Sequence, residues 1–140
     1  MTLPAPSVAA PATTDSTLPV ARFAAAVAAG ALVVDIRSAA QRGRQGILPG
    51  ALAVEAAHAT ELLDPHGPRP LAALGRCAGA VLVSDDGFDA QLFTWELHAR
   101  GVTGVRALDG GFAALAAAGG LRLLADAEHV RRERAAITAH

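Results

Sequence analysis

The residues best suited to chemistry follow the abrupt end of an apolar run. Ala80 to Val83 is continuously apolar, and a short polar stretch comes next: Ser84, Asp85, Asp86, Gly87, Phe88 and Asp89. A helical pattern begins directly afterwards, so the order predicts a buried strand, a tight loop and a helix N-terminus. In α/β proteins, ligands bind at the carboxyl ends of strands, where backbone N–H groups gather at helix starts. We therefore expect a ligand-binding loop at residues 84–89.

Ser84 has two interpretations. As a catalytic nucleophile it would need a base within hydrogen-bond reach. His58 follows a Pro-Gly turn and could face the loop, whereas His98 lies near the far end of the following helix. The alternative is a polar loop serine with no catalytic role.

The three carboxylates of the loop can also be interpreted in more than one way. Asp89 is placed to cap a helix over Gln91–Arg100, and Asp85 and Asp86 would then be solvated near the positive end of its dipole. Alternatively, the loop repels anions and prefers a cation, an amine or an Arg-bearing partner. Carboxylates suit hard cations, but the spacing matches no metal motif, so we expect no metal and no cofactor.

A second pair of charged residues ends an earlier apolar run. Asp35 and Arg37 lie at the carboxyl end of residues 31–36, at the same predicted edge of the sheet as the loop. They could tie neighbouring loops together by an ion pair, or Arg37 could contact a substrate anion. With His58, they are the supporting residues of the predicted site.

The elements that position these residues alternate along the chain. Predicted strands cover residues 31–36, 51–54, 80–83 and 102–108, and predicted helices cover 19–29, a short segment capped by Ser38, 91–100 and 112–118. This alternation predicts an α/β fold with a mostly parallel central sheet of about five strands and helices on both faces. Helical turns are expected at 58–63 and 71–74.

The composition of the chain indicates which classes of binding partner and which cellular location to expect. A net charge of -1 and a pI near 6.5 give no sign of a nucleic-acid or anionic-membrane partner. No apolar run approaches the ~18 residues of a membrane span, and the N-terminus lacks the pattern of a signal peptide, so a cytoplasmic location is expected. Cys77 is the sole cysteine, which excludes an internal disulfide. We expect it to be an inert thiol away from the loop.

The chain divides into three parts by composition. Residues 1–17 are rich in Ala, Pro, Ser and Thr and are expected to form a flexible tail. Residues 18–120 hold the alternating elements, and residues 121–140 are expected to form a C-terminal helical extension with a basic segment at 131–134.

Three motifs in this order are similar to those of a known family. They are Val33-Val34-Asp35-Ile36-Arg37, Gly46-Ile47-Leu48-Pro49-Gly50-Ala51 and Leu108-Asp109-Gly110-Gly111-Phe112. From about Pro19 to Gly119 the chain resembles a single-domain rhodanese-like protein of the sulfurtransferase fold.

The resemblance implies a specific departure at the loop. Ser84 stands at the position of the family's catalytic cysteine, whose thiolate takes up sulfur as a persulfide. Ile47, Asp89 and Leu115 replace a usual His, a frequent loop Arg and a common Trp. A serine cannot form the persulfide, so ordinary thiosulfate sulfurtransferase activity is not expected.

Several functions fit this departure. The first is a ligand-binding, regulatory or accessory module that uses the inherited cleft, for a small molecule or a protein. The second is an enzyme: a sulfurtransferase with an engineered Cys-to-Ser change at position 84, or a repurposed catalyst using Ser84 and the loop carboxylates. A subunit that stabilises a partner enzyme is a third. The sequence does not determine the ligand or the oligomeric state.

Overall fold

A five-stranded parallel sheet organises the computed structural model, which describes residues 16–71, 74 and 79–120. The strands are β1 (Thr17–Leu18), β2 (Leu32–Asp35), β3 (Leu52–Ala53), β4 (Ala80–Val83) and β5 (Val105–Leu108). Their order is β1-β5-β4-β2-β3, and every pair is parallel. The predicted α/β class and parallel sheet are confirmed. The predictions for Cys77, residues 1–15 and residues 121–140 fall outside the described residues.

Strand β4 is the middle strand of the sheet and β2 lies beside it; both are short, largely apolar runs that are buried on both faces. Asp35 is paired in register with Val83, so the two strands end together. This register brings the residues that follow β2 and the residues that follow β4 to one edge of the sheet.

The described ranges contain five α-helices, of which four connect consecutive strands and the fifth follows β5. They are α1 (Phe23–Ala28), α2 (Ala39–Gln45), α3 (Ala56–Leu63), α4 (Phe88–Ala99) and α5 (Gly111–Ala117). Residues of α1 and α5 join one apolar cluster with Val81 and Val83, and residues of α3 and α4 join another with Leu82. Because side chains alternate along a strand, these clusters lie on opposite faces of the sheet. None of these helices is long and apolar enough to cross a bilayer.

Ser38 caps α2 as predicted. Its Oγ accepts a hydrogen bond from Gln41 N at 3.1 Å, and Gln41 Oε1 accepts one from Ser38 N at 3.0 Å. This reciprocal capping box fixes the start of the helix directly after Arg37.

Several predicted boundaries need correction. β1 was missed, and Thr17, assigned to the tail, lies in it because Ser16 O accepts from Ala107 N and Leu18 O from Asp109 N. The predicted helix at 19–29 is a 3-10 turn (Val20–Arg22) followed by α1. The last strand begins at Val105 rather than at residue 102, because Val102 N closes the end of α4 on Leu97 O.

A close approach of backbone to backbone joins α5 to the loop after β4. Gly111 has φ +63°, and a Cβ placed there would lie 2.3 Å from Ser84 O and 2.5 Å from Gly87 N. Only glycine combines this left-handed backbone with so short an approach. The Asp-Gly-Gly turn therefore sets the position of the loop.

Replacing Gly111 with Ala should lower the free energy of unfolding by about 2–5 kcal/mol, since a left-handed residue costs ~1–2 kcal/mol and overpacking ~1–3 kcal/mol. Gly101 is the matched control, because its φ is +86° but a Cβ there would meet nothing within 4 Å. Gly101→Ala should lose only about 1–2 kcal/mol. Urea denaturation followed by circular dichroism measures both, and equal losses would contradict the close approach.

Candidate functional site

The loop from Ser84 to Gly87 joins the end of β4 to the start of α4, and Ser84 lies at its base. Ser84 is 3% exposed. Its Oγ accepts hydrogen bonds from Gly87 N and Ala90 N, both at 3.1 Å. The Ser84 hydroxyl thus occupies two backbone N–H groups of the loop that could otherwise bind an anion.

Asp86 makes a similar bond at the rim of the loop. Its Oδ1 accepts from Phe88 N at 3.0 Å, which satisfies a further N–H at the helix start. The predicted cap by Asp89 is wrong: α4 begins at Phe88, Gly87 is its N-cap, and Asp89 lies within the first turn. Gly87 has φ +92°, and Ser84 and Asp86 supply the acceptors that a capping side chain would otherwise provide.

Two backbone carbonyl groups of the loop accept hydrogen bonds from helix α5. Ser84 O accepts from Phe112 N at 2.8 Å, and Asp85 O accepts from Ala113 N at 3.0 Å. The first turn of α5 thus binds the backbone of the loop from behind, so the loop is bonded on both its side-chain and its carbonyl sides.

Asp35 and Arg37 form a buried ion pair beside the loop. Arg37 Nη2 lies 2.8 Å from Asp35 Oδ2, and Arg37 Nε lies 3.0 Å from Asp35 Oδ1. Arg37 N also donates to Asp35 Oδ1 at 3.1 Å. The fork of the guanidinium suits such a bidentate contact.

The rest of the Arg37 guanidinium is also engaged. Nη1 donates to Gln45 Oε1 at 3.1 Å and Nη2 to Gly46 O at 2.9 Å. Its Cζ lies 3.8 Å from the centroid of the Phe112 ring, within cation–π range. Arg37 is 1% exposed, so of the two predicted roles the geometry fits the tie between loops and offers no face to a substrate anion.

Gln45 extends this network to the loop, because its Nε2 donates to Asp85 Oδ1. Sequence reasoning missed Gln45, which no pattern singles out, since its role depends on where α2 ends in space. Phe112 was present in the Asp-Gly-Gly-Phe motif but was not recognised as a partner of Arg37.

The described histidines make their contacts with residues other than Ser84. His58 is exposed, and its Nδ1 lies 3.9 Å from Glu55 Oε2. His98 Nε2 lies 2.8 Å from Val105 O, near the far end of α4 as expected. None of the three described histidines, His66 included, forms a hydrogen bond with Ser84 Oγ, so the structure does not pair His58 with Ser84.

Among the residues that the structure describes, no three His, Cys, Asp or Glu side chains are grouped closely enough to hold a metal ion. Asp85 is bonded to Gln45 and Asp86 to Phe88 N. The side chain of Asp89 is exposed and makes no hydrogen bond or ion pair with any described residue. The three loop carboxylates thus have separate surroundings.

Comparisons with solved structures support the fold. A protein of unknown function from Rhodopseudomonas palustris, described as a possible tyrosine phosphatase, is 24% identical, with a TM-score of 0.68 over 86% of this chain and 94% of that one. A human single-domain sulfurtransferase is 20% identical, with a TM-score of 0.54 over 69% and 91% of the two chains.

A thiosulfate sulfurtransferase from Pseudomonas aeruginosa is 25% identical, with a TM-score of 0.57 over 75% of this chain. The matched region is only 18% of that longer protein, so this chain corresponds to a small part of it. A search of curated proteins found no match.

The family comparison covers most of the chain. The profile of the rhodanese-like domain matches residues 20–118, a span that contains all three motifs, the described sheet from β2 to β5 and the loop around Ser84. The chain belongs to the rhodanese-like domain family.

Proposed function

We propose that this protein is a binding module of the rhodanese fold without thiosulfate sulfurtransferase activity, in which Ser84 occupies the position of the sulfur-carrying cysteine. One observation carries the proposal: the Ser84 side chain follows the central strand directly and accepts two backbone N–H groups at 3.1 Å. Ser84 Oγ therefore stabilises the conformation of the loop.

The chemistry of position 84 supports this proposal. Sulfur transfer needs a thiolate that attacks the donor and forms an S–S bond, and a hydroxyl oxygen cannot form that bond. A serine nucleophile for another reaction would need a base, and no described histidine is hydrogen-bonded to Ser84 Oγ. All three nitrogens of the Arg37 guanidinium donate within the chain, to Asp35, Gln45 and Gly46.

The charge of the rim supports a binding role with a changed preference. Asp86 and Asp89 are exposed at the start of α4, where an anionic sulfur donor would have to approach. Like charges repel across a short distance, so the rim disfavours thiosulfate and favours a cationic group. The ligand of the module is therefore a cation, an amine or an Arg-bearing or Lys-bearing partner.

A second candidate is a sulfurtransferase whose cysteine has been replaced by Ser84. The observation in its favour is the same pair of N–H groups, because donors of this kind stabilise a thiolate. The two candidates differ in what a cysteine restored at position 84 would do.

Ser84→Ala should lower the free energy of unfolding by about 1–3 kcal/mol, because Gly87 N and Ala90 N lose their buried acceptor. Thr94→Val is the matched control: Thr94 Oγ1 is buried and has no hydrogen-bond partner among the described residues. That change should be neutral or stabilising. Urea denaturation of both variants checks the difference, and a Ser84→Ala protein as stable as the parent would contradict the structural role.

Ser84→Cys should show no turnover of thiosulfate and cyanide above the rate of Ser84→Ala, because the acidic rim repels the donor. The assay follows thiocyanate formation at several ionic strengths, since salt screens the repulsion. Clear turnover by Ser84→Cys at low salt, where the repulsion is unscreened, would overturn the proposal in favour of the second candidate.

A further inference from the structure

Helix α4 carries bulky apolar side chains on its solvent side, directly after the loop. Phe88, Leu92 and Trp95 are 64%, 43% and 44% exposed. Their spacing of four and three residues places them on one face of the helix. We call these three residues the α4 stripe.

The stripe is not needed to pack α4 on the sheet. The buried face of the helix is formed by Ala90, Thr94 and Leu97. Large exposed apolar residues elsewhere in the described ranges are Ile47 and Leu52, so most of them are gathered on α4. Contiguous exposed apolar surface marks interaction sites, and Trp and Phe are enriched at the centres of protein interfaces.

Carboxylates border the stripe along one side and at its start. Asp89 and Glu96 are seven residues apart and therefore share a side of α4, next to Leu92. Glu96 Oε2 is paired with Arg100 at 3.0 Å, but Asp89 has no partner among the described residues. Asp86 lies at the N-terminal end of α4. Among the described residues, its carboxylate accepts a hydrogen bond from Phe88 N and makes no ion pair.

This combination selects the chemistry of the partner. The unpaired carboxylates favour Arg or Lys and repel the anionic surface of a membrane. The exposed faces of Phe88 and Trp95 favour apolar side chains and also attract guanidinium and ammonium groups. A polypeptide segment with apolar anchors flanked by basic residues satisfies both features.

We propose that the α4 stripe docks a segment of another protein that presents bulky apolar side chains flanked by Arg or Lys. This inference rests on the proposed function and deepens it by naming the class of partner. An amphipathic helix with anchors at i, i+4 and i+7 would match the spacing of the stripe.

The chain contains its own reporter for such binding. Trp95 is the single tryptophan, and the sequence has no tyrosine. Its indole is half-exposed in the stripe, so a docked apolar segment would shift its emission to shorter wavelength without any label.

The probe is a synthetic helical peptide with leucines at i, i+4 and i+7 and arginines at both ends, titrated into the 140-residue protein. The control peptide carries glutamate in place of arginine. We expect saturable binding of the arginine peptide that is at least about tenfold tighter than that of the glutamate peptide and that weakens with added salt.

Leu92→Ala should weaken binding of the arginine peptide by about fivefold or more, as for a central contact. Leu52→Ala is the matched control, because Leu52 is a leucine of similar exposure (39%) on the edge strand β3, which β2 and β4 separate from β5. It should leave binding unchanged. Asp86→Asn and Asp89→Asn should each weaken binding by about threefold, with the loss fading at high salt.

Three outcomes would overturn the inference: equal binding of the two peptides, equal effects of Leu92→Ala and Leu52→Ala, or no change in Trp95 emission with either peptide. Sedimentation of the protein alone provides a further check, since a dimer dissociated by Leu92→Ala would assign the stripe to a second copy instead. Thiocyanate formation by Ser84→Cys tests the proposed function separately. A silent peptide titration with inert Ser84→Cys would remove this inference and leave the proposed function standing.

Discussion

The arrangement of the site depends on one backbone contact, between Gly111 and the loop that follows β4. Because a side chain there would meet Ser84 O and Gly87 N, the absence of a Cβ lets α5 approach near enough to donate from Phe112 N and Ala113 N to the loop carbonyls. With its carbonyls held from behind, the loop turns its N–H groups towards the side chain of Ser84. The geometry of the loop is therefore imposed by the neighbouring turn as much as by the loop's own sequence.

Arg37 holds the other side of this arrangement. Burying a guanidinium is costly unless its donors are satisfied, and here Asp35, Gln45 and Gly46 accept from it while Phe112 covers its face. Phe112 thus serves both α5 and the ion pair, and Gln45 links the pair to Asp85. Asp35, Arg37 and Asp85 therefore have structural roles beside the loop. The exposed edge of the loop is formed by Asp86, Asp89 and the apolar side chains of α4.

The features predicted correctly from the sequence are those with a strong local signal. The local sequence is enough to predict β2 and β4 from their continuous apolar runs. It also predicts the start of α2 from its capping serine. β1 escaped because Thr17–Leu18 has no such pattern and becomes a strand only through its pairing with β5. The start of α4 was misplaced because Ser84 and Asp86, rather than Asp89, bind its first N–H groups. The Arg37–Gln45–Asp85 chain of contacts joins three separate segments, so no local pattern reveals it.

The pairing of β1 has a consequence for how the protein is made. Thr17–Leu18 pairs with Ala107–Leu108, and Ser16 Oγ accepts from Gln91 Nε2 at 2.9 Å, so the first strand finds its partners in the last part of the domain. A ribosome releases the N-terminal residues first, and this strand must wait unpaired until β5 has emerged. Contacts between such distant segments slow folding. Closure of the sheet at this edge therefore follows the emergence of β5, however early β1 leaves the ribosome.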